Sequence, residues 1–243
     1  MFIIDKQTLI DDLMLYGMTR QEATIYIDLC RNGPLTGYEA AKLTGISRSN
    51  VYNALASLAD KGAAYVIDGT SSKYISVPIA EFCSNKLRHM KEVQTKLTER
   101  LSQPIESEIG YITIEGHHHI LDKLRNMIDT AQKRLYLSAP SELVMRMASD
   151  LQNALSRNIK VVLITDHKVD FKDATIYIAP RIHSQIRLIT DSEYVLTGEV
   201  TDKNTDTCLY SGQKNFVAVL KDALRNEIKL IELEKQSQTE GEL

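Results

Sequence analysis

The chain has 243 residues, of which 43% are hydrophobic and 25% are charged. This composition is typical of a globular protein and excludes a disordered or fibrous class. The length corresponds to one large domain or two modest ones. Because no run of about 18 apolar residues occurs, the sequence predicts no transmembrane helix and no membrane partner.

The N-terminal segment MFIIDKQTLIDD carries acidic residues where a signal peptide would carry basic ones, so we expect a cytoplasmic protein. The three cysteines, Cys30, Cys83 and Cys208, are far apart. This spacing predicts neither a disulfide framework nor a metal knuckle, and we interpret them as reduced packing residues. The net charge of −3 gives no basic signature, so any nucleic-acid interface must be predicted from local pattern.

Residues 1–78 show the pattern of a winged helix-turn-helix domain. Apolar spacing predicts helices over about 6–16, 20–31, 37–43 and 48–61. Thr19 and Glu22 form a capping-box pattern, and Thr36 and Ser47 are predicted N-caps. After Gly62 the apolar period changes to two, and the residues DGTSS separate two β-prone segments, which indicates a hairpin.

The helix predicted over 48–61 has an apolar face for its own core and a small, polar, uncharged face opposite. Ser and Asn side chains can hydrogen-bond to base edges in the major groove, and an Arg in the first turn can reach a phosphate. The wing adds further groups that can contact the DNA backbone. The predicted DNA-binding residues are Ser47, Arg48, Ser49, Asn50, Tyr52, Asn53, Ser72 and Lys73.

This domain contains two motifs, G-[LM]-[TS]-x-x-E-A-x-x-Y and S-R-x-x-V-Y-x-x-L-x-x-L-x-x-K-G. The matching residues are Gly17, Met18, Thr19, Glu22, Ala23, Tyr26, Ser47, Arg48, Val51, Tyr52, Leu55, Leu58, Lys61 and Gly62. Both motifs resemble those of the TrmB family of transcriptional regulators, in which the second forms the recognition helix. The resemblance implies a sequence-specific regulator that binds double-stranded DNA.

Residues 79–104 are predicted to form a long amphipathic linker helix that ends before Pro104. Its apolar stripe, from Ile79 to Leu101, needs a partner surface. Pairing with the same helix of a second copy would give a homodimer that reads two half-sites. The alternative is that the stripe packs on the chain's own second domain.

Residues 105–236 alternate strand and helix patterns, which predicts a sheet covered by helices on both faces. The predicted strands are 111–114, 134–138, 160–165, 175–178, 186–190, 194–197 and 207–210, and the predicted helices are about 117–132, 141–157 and 215–235. Residues 237–243 are predicted as a disordered tail. The stretch GHHHILDKLRNMIDTAQKRLYLSAP resembles the start of the second domain of the TrmB family, whose fold is similar to phospholipase D. The predicted fold class is therefore an α+β multidomain chain: winged helix-turn-helix, linker helix and α/β phospholipase-D-like domain.

A phospholipase-D-like fold raises the question of catalysis. Active members carry H-x-K-x-x-x-x-D, in which His is the nucleophile or acid and Lys holds phosphate. Aligned on Asp191, the His position here is Ser184 and the Lys position is Ile186; aligned on His183, the Lys position becomes Gln185 and the Asp position Thr190. Neither register supplies both groups, so we expect no enzyme activity by this route.

Other chemistry-bearing patterns are weak. The three adjacent histidines at 117–119 cannot all reach one ion from a helix, so we interpret them as solvated residues near a helix start. No Walker or dinucleotide-binding glycine motif is present. The sequence therefore predicts no cofactor and no metal.

The second domain is predicted to sense a small-molecule effector in a cleft at its strand ends. The residues expected there are Ser138, Ser141, His183, Ser184 and Asp191. The alternative is a domain that only dimerises. Two other classes of function remain open at this point: a phosphodiesterase-like enzyme in the second domain, and a protein-interaction module that uses the winged helix as a docking surface.

Overall fold

The computed structural model describes residues 5–101, 110–180 and 184–240. The chain divides into two compact units, 1–104 and 105–243. Within the described ranges, no helix is long and apolar enough to cross a membrane.

The first unit is a winged helix-turn-helix fold followed by a long helix. Its elements are α1 (Lys6–Leu15), α2 (Arg20–Asn32), β1 (Leu35–Thr36), α3 (Gly37–Thr44), α4 (Arg48–Asp60), β2 (Ala64–Ile67), β3 (Lys73–Ser76) and α5 (Ile79–Leu101). The three strands form an antiparallel sheet in the order β1-β3-β2. The two-residue strand β1 was not predicted, because pairing of so short a segment depends on β3, far along the chain.

Local capping explains where two of these helices begin. The Thr19 hydroxyl accepts a hydrogen bond from the Glu22 N–H, and the Glu22 carboxylate accepts one from the Thr19 N–H, which confirms the predicted capping box. Thr36 caps α3 in the same way with Glu39. Ser47 is the N-cap residue of α4, as predicted, but its hydroxyl makes no capping hydrogen bond. The residue three positions on is an Asn rather than a Glu, so no reciprocal bond completes a capping box there.

The core of the first unit lies between α2, α4 and the wing. Tyr26, Leu55 and Leu58 are fully buried there. The Tyr26 hydroxyl donates a hydrogen bond of 2.7 Å to the Val77 carbonyl, which attaches α2 to the end of the wing. Burial is the main cause that raises the pKa of the Tyr26 hydroxyl well above its ordinary value, and the ring is a fixed element of this core.

The second unit is built on a seven-stranded mixed sheet. Its elements are β4 (Tyr111–Glu115), α6 (His117–Thr130), β5 (Arg134–Ser138), α7 (Ser141–Arg146), α8 (Ala148–Ser156), β6 (Lys160–Thr165), β7 (Thr175–Ile178), β8 (Gln185–Thr190), β9 (Tyr194–Glu199), β10 (Thr207–Ser211) and α9 (Lys214–Glu240). The strand order is β4-β10-β9-β8-β5-β6-β7. Strands β5, β6 and β7 run parallel, and the other pairs are antiparallel.

Helices cover both faces of this sheet, as predicted. Helices α6, α7 and α8 pack on one face over a cluster that includes Leu135 and Leu188. Helix α9 packs on the other face over Ile164 and Ile189. Since neighbouring residues of a strand point to opposite faces, Leu188 and Ile189 are both buried, one in each layer.

Two helix boundaries differ from the predictions. Helix α9 continues to Glu240, so residues 237–240 of the predicted disordered tail are helical, because no helix breaker precedes Gly241. The single helix predicted over 141–157 is two helices, since the backbone at Met147 leaves helical geometry.

The cysteines are free: Cys208 is buried and Cys83 half-buried, but Cys30 is exposed and is not a core residue.

Candidate functional site

Helix α4 presents one apolar and one polar face. Val51, Leu55 and Leu58 are fully buried in the core of the first unit. The opposite face carries Ser49 and Asn53, both exposed and uncharged. This face has the hydrogen-bond donors and acceptors that base edges require, and it carries no charged side chain.

All the residues predicted to contact DNA are exposed in the first unit. Those on or beside α4 are Ser47, Arg48, Ser49, Asn50, Tyr52 and Asn53, and those on the wing are Ser72 and Lys73. Lys73 is the first residue of β3 and pairs with Ile67 of β2 and with Thr36 of β1. The sheet therefore fixes the backbone from which the wing side chains project.

An aromatic ring that the sequence reasoning missed positions Arg48. The guanidinium carbon of Arg48 lies 4.7 Å from the centre of the Tyr38 ring, within the range of a cation–π contact. Tyr38 belongs to α3, the helix before α4, and is 53% exposed. The signal in the sequence for this role was an aromatic residue directly after Gly37.

Gly37 positions Tyr52 in a similar way. A side chain at Gly37 would collide with the Tyr52 ring, so the ring packs directly against the backbone at the start of α3. Tyr52 is nevertheless 51% exposed. The contact holds α3 and α4 close together and leaves the other side of the ring open to solvent.

Two residues of the family motifs have a structural role. The Lys61 ammonium, at the end of α4, donates hydrogen bonds to the Glu22 carboxylate at 2.6 Å and to the Gly17 carbonyl at 2.9 Å. Burial opposes ionisation of Glu22, but hydrogen bonds from Lys61, from the Thr19 N–H and from the Ser57 hydroxyl outweigh it and lower its pKa. Lys61 therefore joins α4 to the start of α2 and is not free to bind phosphate.

The second unit has a polar cleft of about 290 Å³ at the carboxyl ends of β5 and β6. Ser141, one of the predicted effector residues, lines it. Ser138 ends β5 at the same edge and is fully buried. The polar residues that line the cleft are Ser141, Glu142, Arg146, Asp166, His167 and Asp202.

Asp166 organises one side of this cleft. Its carboxylate accepts a hydrogen bond of 2.7 Å from the Ser141 N–H. Burial opposes its ionisation, yet bonds from the Ser141 N–H, the Ser141 hydroxyl and His167 hold its pKa far below the ordinary value. The Ser141 hydroxyl and Asp166 both face Nδ1 of His167, at 3.4 Å and 3.3 Å, so the three do not form a relay through two ring nitrogens.

Asp191 lies away from this cleft, contrary to the prediction. It occupies the turn between β8 and β9, and its carboxylate accepts hydrogen bonds from the N–H groups of Gln132, Lys133 and Arg134 where β5 begins. Because β5 ends at Ser138, about one strand length of roughly 15 Å separates the two sites. Asp191 thus fixes the chain entering the sheet.

The remaining predicted effector residues divide between described and undescribed positions. Ser184 precedes β8, at the edge where β5 ends, since Ser138 pairs with Arg187. Its carbonyl accepts a hydrogen bond from the Val200 N–H. His183 lies outside the described residues. Ile186, which occupies a Lys position of the phospholipase motif, is fully buried in the core and carries no charge for phosphate.

His117 is not the solvated residue that we expected. It is 9% exposed, with Nε2 lying 3.3 Å from Asp202 and Nδ1 lying 3.5 Å from Asp206. The loop after β9 brings these carboxylates to the start of α6, and this long-range contact has no local signal. His118 and His119 are exposed, and no group of side chains in the described ranges could hold a metal ion.

Two family models match the chain. The model of the sugar-specific transcriptional regulator TrmB matches residues 13–80. The model of the N-terminal subdomain of the TrmB effector-binding domain matches residues 110–224. The two matched segments belong to one family and together span about three quarters of the sequence. The chain belongs to the TrmB family of transcriptional regulators.

The chain is also similar to several curated proteins and solved structures. The uncharacterized protein YrhO of Bacillus subtilis is 25% identical over 95% of this chain and 88% of its own length. The sugar-sensing regulator TrmBL1 of Pyrococcus furiosus is 23% identical over 65% of this chain, which spans only 47% of that relative. Similar structures are the archaeal chromatin protein TrmBL2 (20% identity, TM-score 0.43, 93% of this chain and 99% of that one) and NucT of Helicobacter pylori (14%, 0.45, 50% and 97%).

Proposed function

We propose that this regulator acts in the cytoplasm as a homodimer that reads double-stranded DNA with α4 and responds to a small-molecule effector through its second unit. The observation that carries the DNA-reading role is the exposed, uncharged polar face of α4, with Arg48 placed over Tyr38 at its first turn. In this proposal Asn53 hydrogen-bonds to a base edge, and Arg48, Ser72 and Lys73 contact phosphates.

The test of this role is selection from fragments of the host genome, followed by affinity measurements on the enriched sequence. A sequence-specific regulator enriches a small set of fragments and binds them more tightly than a scrambled duplex at the same salt concentration. Equal retention of all fragments contradicts sequence-specific binding. No retention at all favours the alternative, a protein-interaction module that docks through the winged helix.

Dimerisation through α5 is supported by side chains that the first unit leaves uncovered. Phe82, in the first turn, is buried in the core of that unit. The later apolar residues Leu87, Met90, Leu97 and Leu101 are between 51% and 74% exposed. A matching helix from a second copy would cover them and place two copies of α4 on successive half-sites.

The effector role is supported by the polar cleft beside Ser141. Its size of about 290 Å³ lies near the lower end of the range for small-molecule sites. The charged groups in its lining favour a polar ligand. A thermal-shift screen of cytoplasmic metabolites tests this role, and a screen with no compound that alters affinity for the selected DNA contradicts it in favour of a unit that only dimerises.

We do not propose catalysis by a phospholipase-like route, because neither alignment of the degenerate motif combines a nucleophilic His with a phosphate-holding Lys. A fluorogenic phosphodiester substrate distinguishes the two classes of function. Hydrolysis above the level of a Ser141→Ala, Ser184→Ala double variant would support the enzyme alternative.

A further inference from the structure

A second cleft, distinct from the polar one, lies between α9 and the sheet and has a volume of about 320 Å³. Ile189 from β8 and Leu224 and Ile228 from α9 form its apolar lining, and Tyr136 from β5 adds an aromatic ring. An apolar cavity of about 150 Å³ holds benzene, so this cleft has room for an apolar body about twice that size.

Three cations line the same cleft at four-residue spacing along α9: Lys221, Arg225 and Lys229. Like charges at this spacing repel one another on a helix surface. Arg225 is paired with Asp222 at 2.7 Å. Across the described part of the chain, neither Lys221 nor Lys229 has a carboxylate within ion-pair distance, so an anion bound here would relieve the repulsion.

Two other polar side chains line the cleft, Glu232 and Tyr136. Glu232, the carboxylate in this lining, accepts a hydrogen bond of 3.0 Å from the Tyr177 hydroxyl on the sheet. Tyr136 is half-buried and lines the same cleft. Its phenolic hydroxyl can donate a hydrogen bond to an oxygen of a ligand bound there.

We propose that this cleft binds a small amphipathic monocarboxylate. The apolar body lies against Ile189, Leu224 and Ile228. The carboxylate lies nearest Arg225, which is one helical turn, or about 6 Å, from each of the two lysines. A cation is repelled by the three positive charges, and an inorganic anion gains nothing from the apolar lining. The proposal concerns binding alone and does not depend on the DNA-binding role.

Calorimetry on the full chain tests the proposal with three probes of equal length: octanoate, 1-octanol and octylammonium. We expect saturable binding of octanoate at one site per chain, at least tenfold tighter than binding of either other probe. The double variant Lys221→Glu, Lys229→Glu should weaken octanoate binding at least tenfold. The Lys221→Arg, Lys229→Arg variant should retain it, because both charges remain.

The matched control is Lys160→Glu, Lys172→Glu, which makes the same change of net charge at exposed residues outside the cleft and should bind octanoate like the wild type. Circular dichroism checks folding, and a Lys→Gln pair replaces the Glu pair if that variant unfolds. Equal binding of the three probes, or equal weakening by the cleft and control variants, would overturn the proposal. So would a change of oligomeric state without octanoate binding, which would assign the cleft to a second copy.

Discussion

Lys61 and Glu22 are 39 positions apart in the chain and are joined by a hydrogen bond of 2.6 Å. The Glu22 side chain is 6% exposed and the Lys61 side chain 33% exposed. Because the same carboxylate caps α2, the bond connects the end of α4 to the start of α2, on which α4 packs. Both residues belong to the motifs that mark the family, and both serve the fold.

Replacing Lys61 should therefore destabilise the first unit. Lys61→Ala leaves a buried carboxylate without its cation, and we expect a loss of roughly 1–3 kcal/mol in the free energy of unfolding. Denaturant titration measures it. Lys42→Ala, at an exposed position of α3, is the control and should change stability little. Equal effects of the two substitutions would show that the Lys61 contact contributes nothing.

This contribution should depend on pH. The pKa of Glu22 is lower in the folded chain than its ordinary value of 4.5, so its stabilising effect is fully present above about pH 4.5. It is lost as pH falls through the lower folded-state pKa. The difference in stability between wild type and Glu22→Gln should shrink on acidification below pH 4.5. A difference that stays constant with pH would contradict the ionised state of Glu22.

The dimer proposal predicts that charges on α5 produce a monomer. Met90→Glu with Leu97→Glu places carboxylates in the exposed apolar stripe, where they would have to be buried without partners. Sedimentation should show a monomer whose circular dichroism is unchanged. The control, Lys91→Glu with Lys96→Glu, changes exposed charges beside the stripe and should remain dimeric. A stripe variant that stays dimeric would place the interface elsewhere.

Substitutions at the two ends of β5, in the polar cleft and at the Asp191 turn, should have different effects. Ser141→Ala and Arg146→Ala should weaken binding of an effector found by the thermal-shift screen, because both residues line the polar cleft. Asp191→Ala should lower the stability of the unit, since it leaves three N–H groups without their acceptor, and should leave effector affinity unchanged. The reverse pattern would place the effector near Asp191.

Coupling between effector binding and DNA binding should be reciprocal. The effector should change the affinity for DNA, and DNA the affinity for the effector, by the same free energy of about 1–3 kcal/mol.

The parts of the fold that local pattern encodes were predictable. Every strand of the second unit was located to within two residues, because each combines β-branched or aromatic residues with turn signals nearby. The Thr19 capping box was equally local. The contacts that bring distant segments together were not predictable: the Asp191 turn against the start of β5, and the carboxylates of the 201–206 loop around His117. These depend on strand order and loop path, which periodicity does not encode.

The candidate interface follows the same division. Helical periodicity was enough to place Ser49 and Asn53 on the exposed face of α4. Tyr38 and Gly37 were missed because they contact Arg48 and Tyr52 of another helix, and periodicity within one helix does not predict contacts between two. Removing the Tyr38 ring by Tyr38→Leu should weaken DNA binding to a smaller extent than Arg48→Ala, since Arg48 keeps its charge but loses the aromatic surface that orients it.

The most direct test of DNA reading by α4 is to compare Arg48→Ala and Asn53→Ala on a selected duplex and a scrambled one at matched salt. Arg48→Ala should weaken binding to both about equally, as a phosphate contact does. Asn53→Ala should lose roughly 1–3 kcal/mol on the selected duplex and relax the preference at one base pair. Arg31→Ala, an exposed residue at the end of α2, is the control. Wild-type affinity in both α4 variants would contradict the assignment of α4 as the recognition helix.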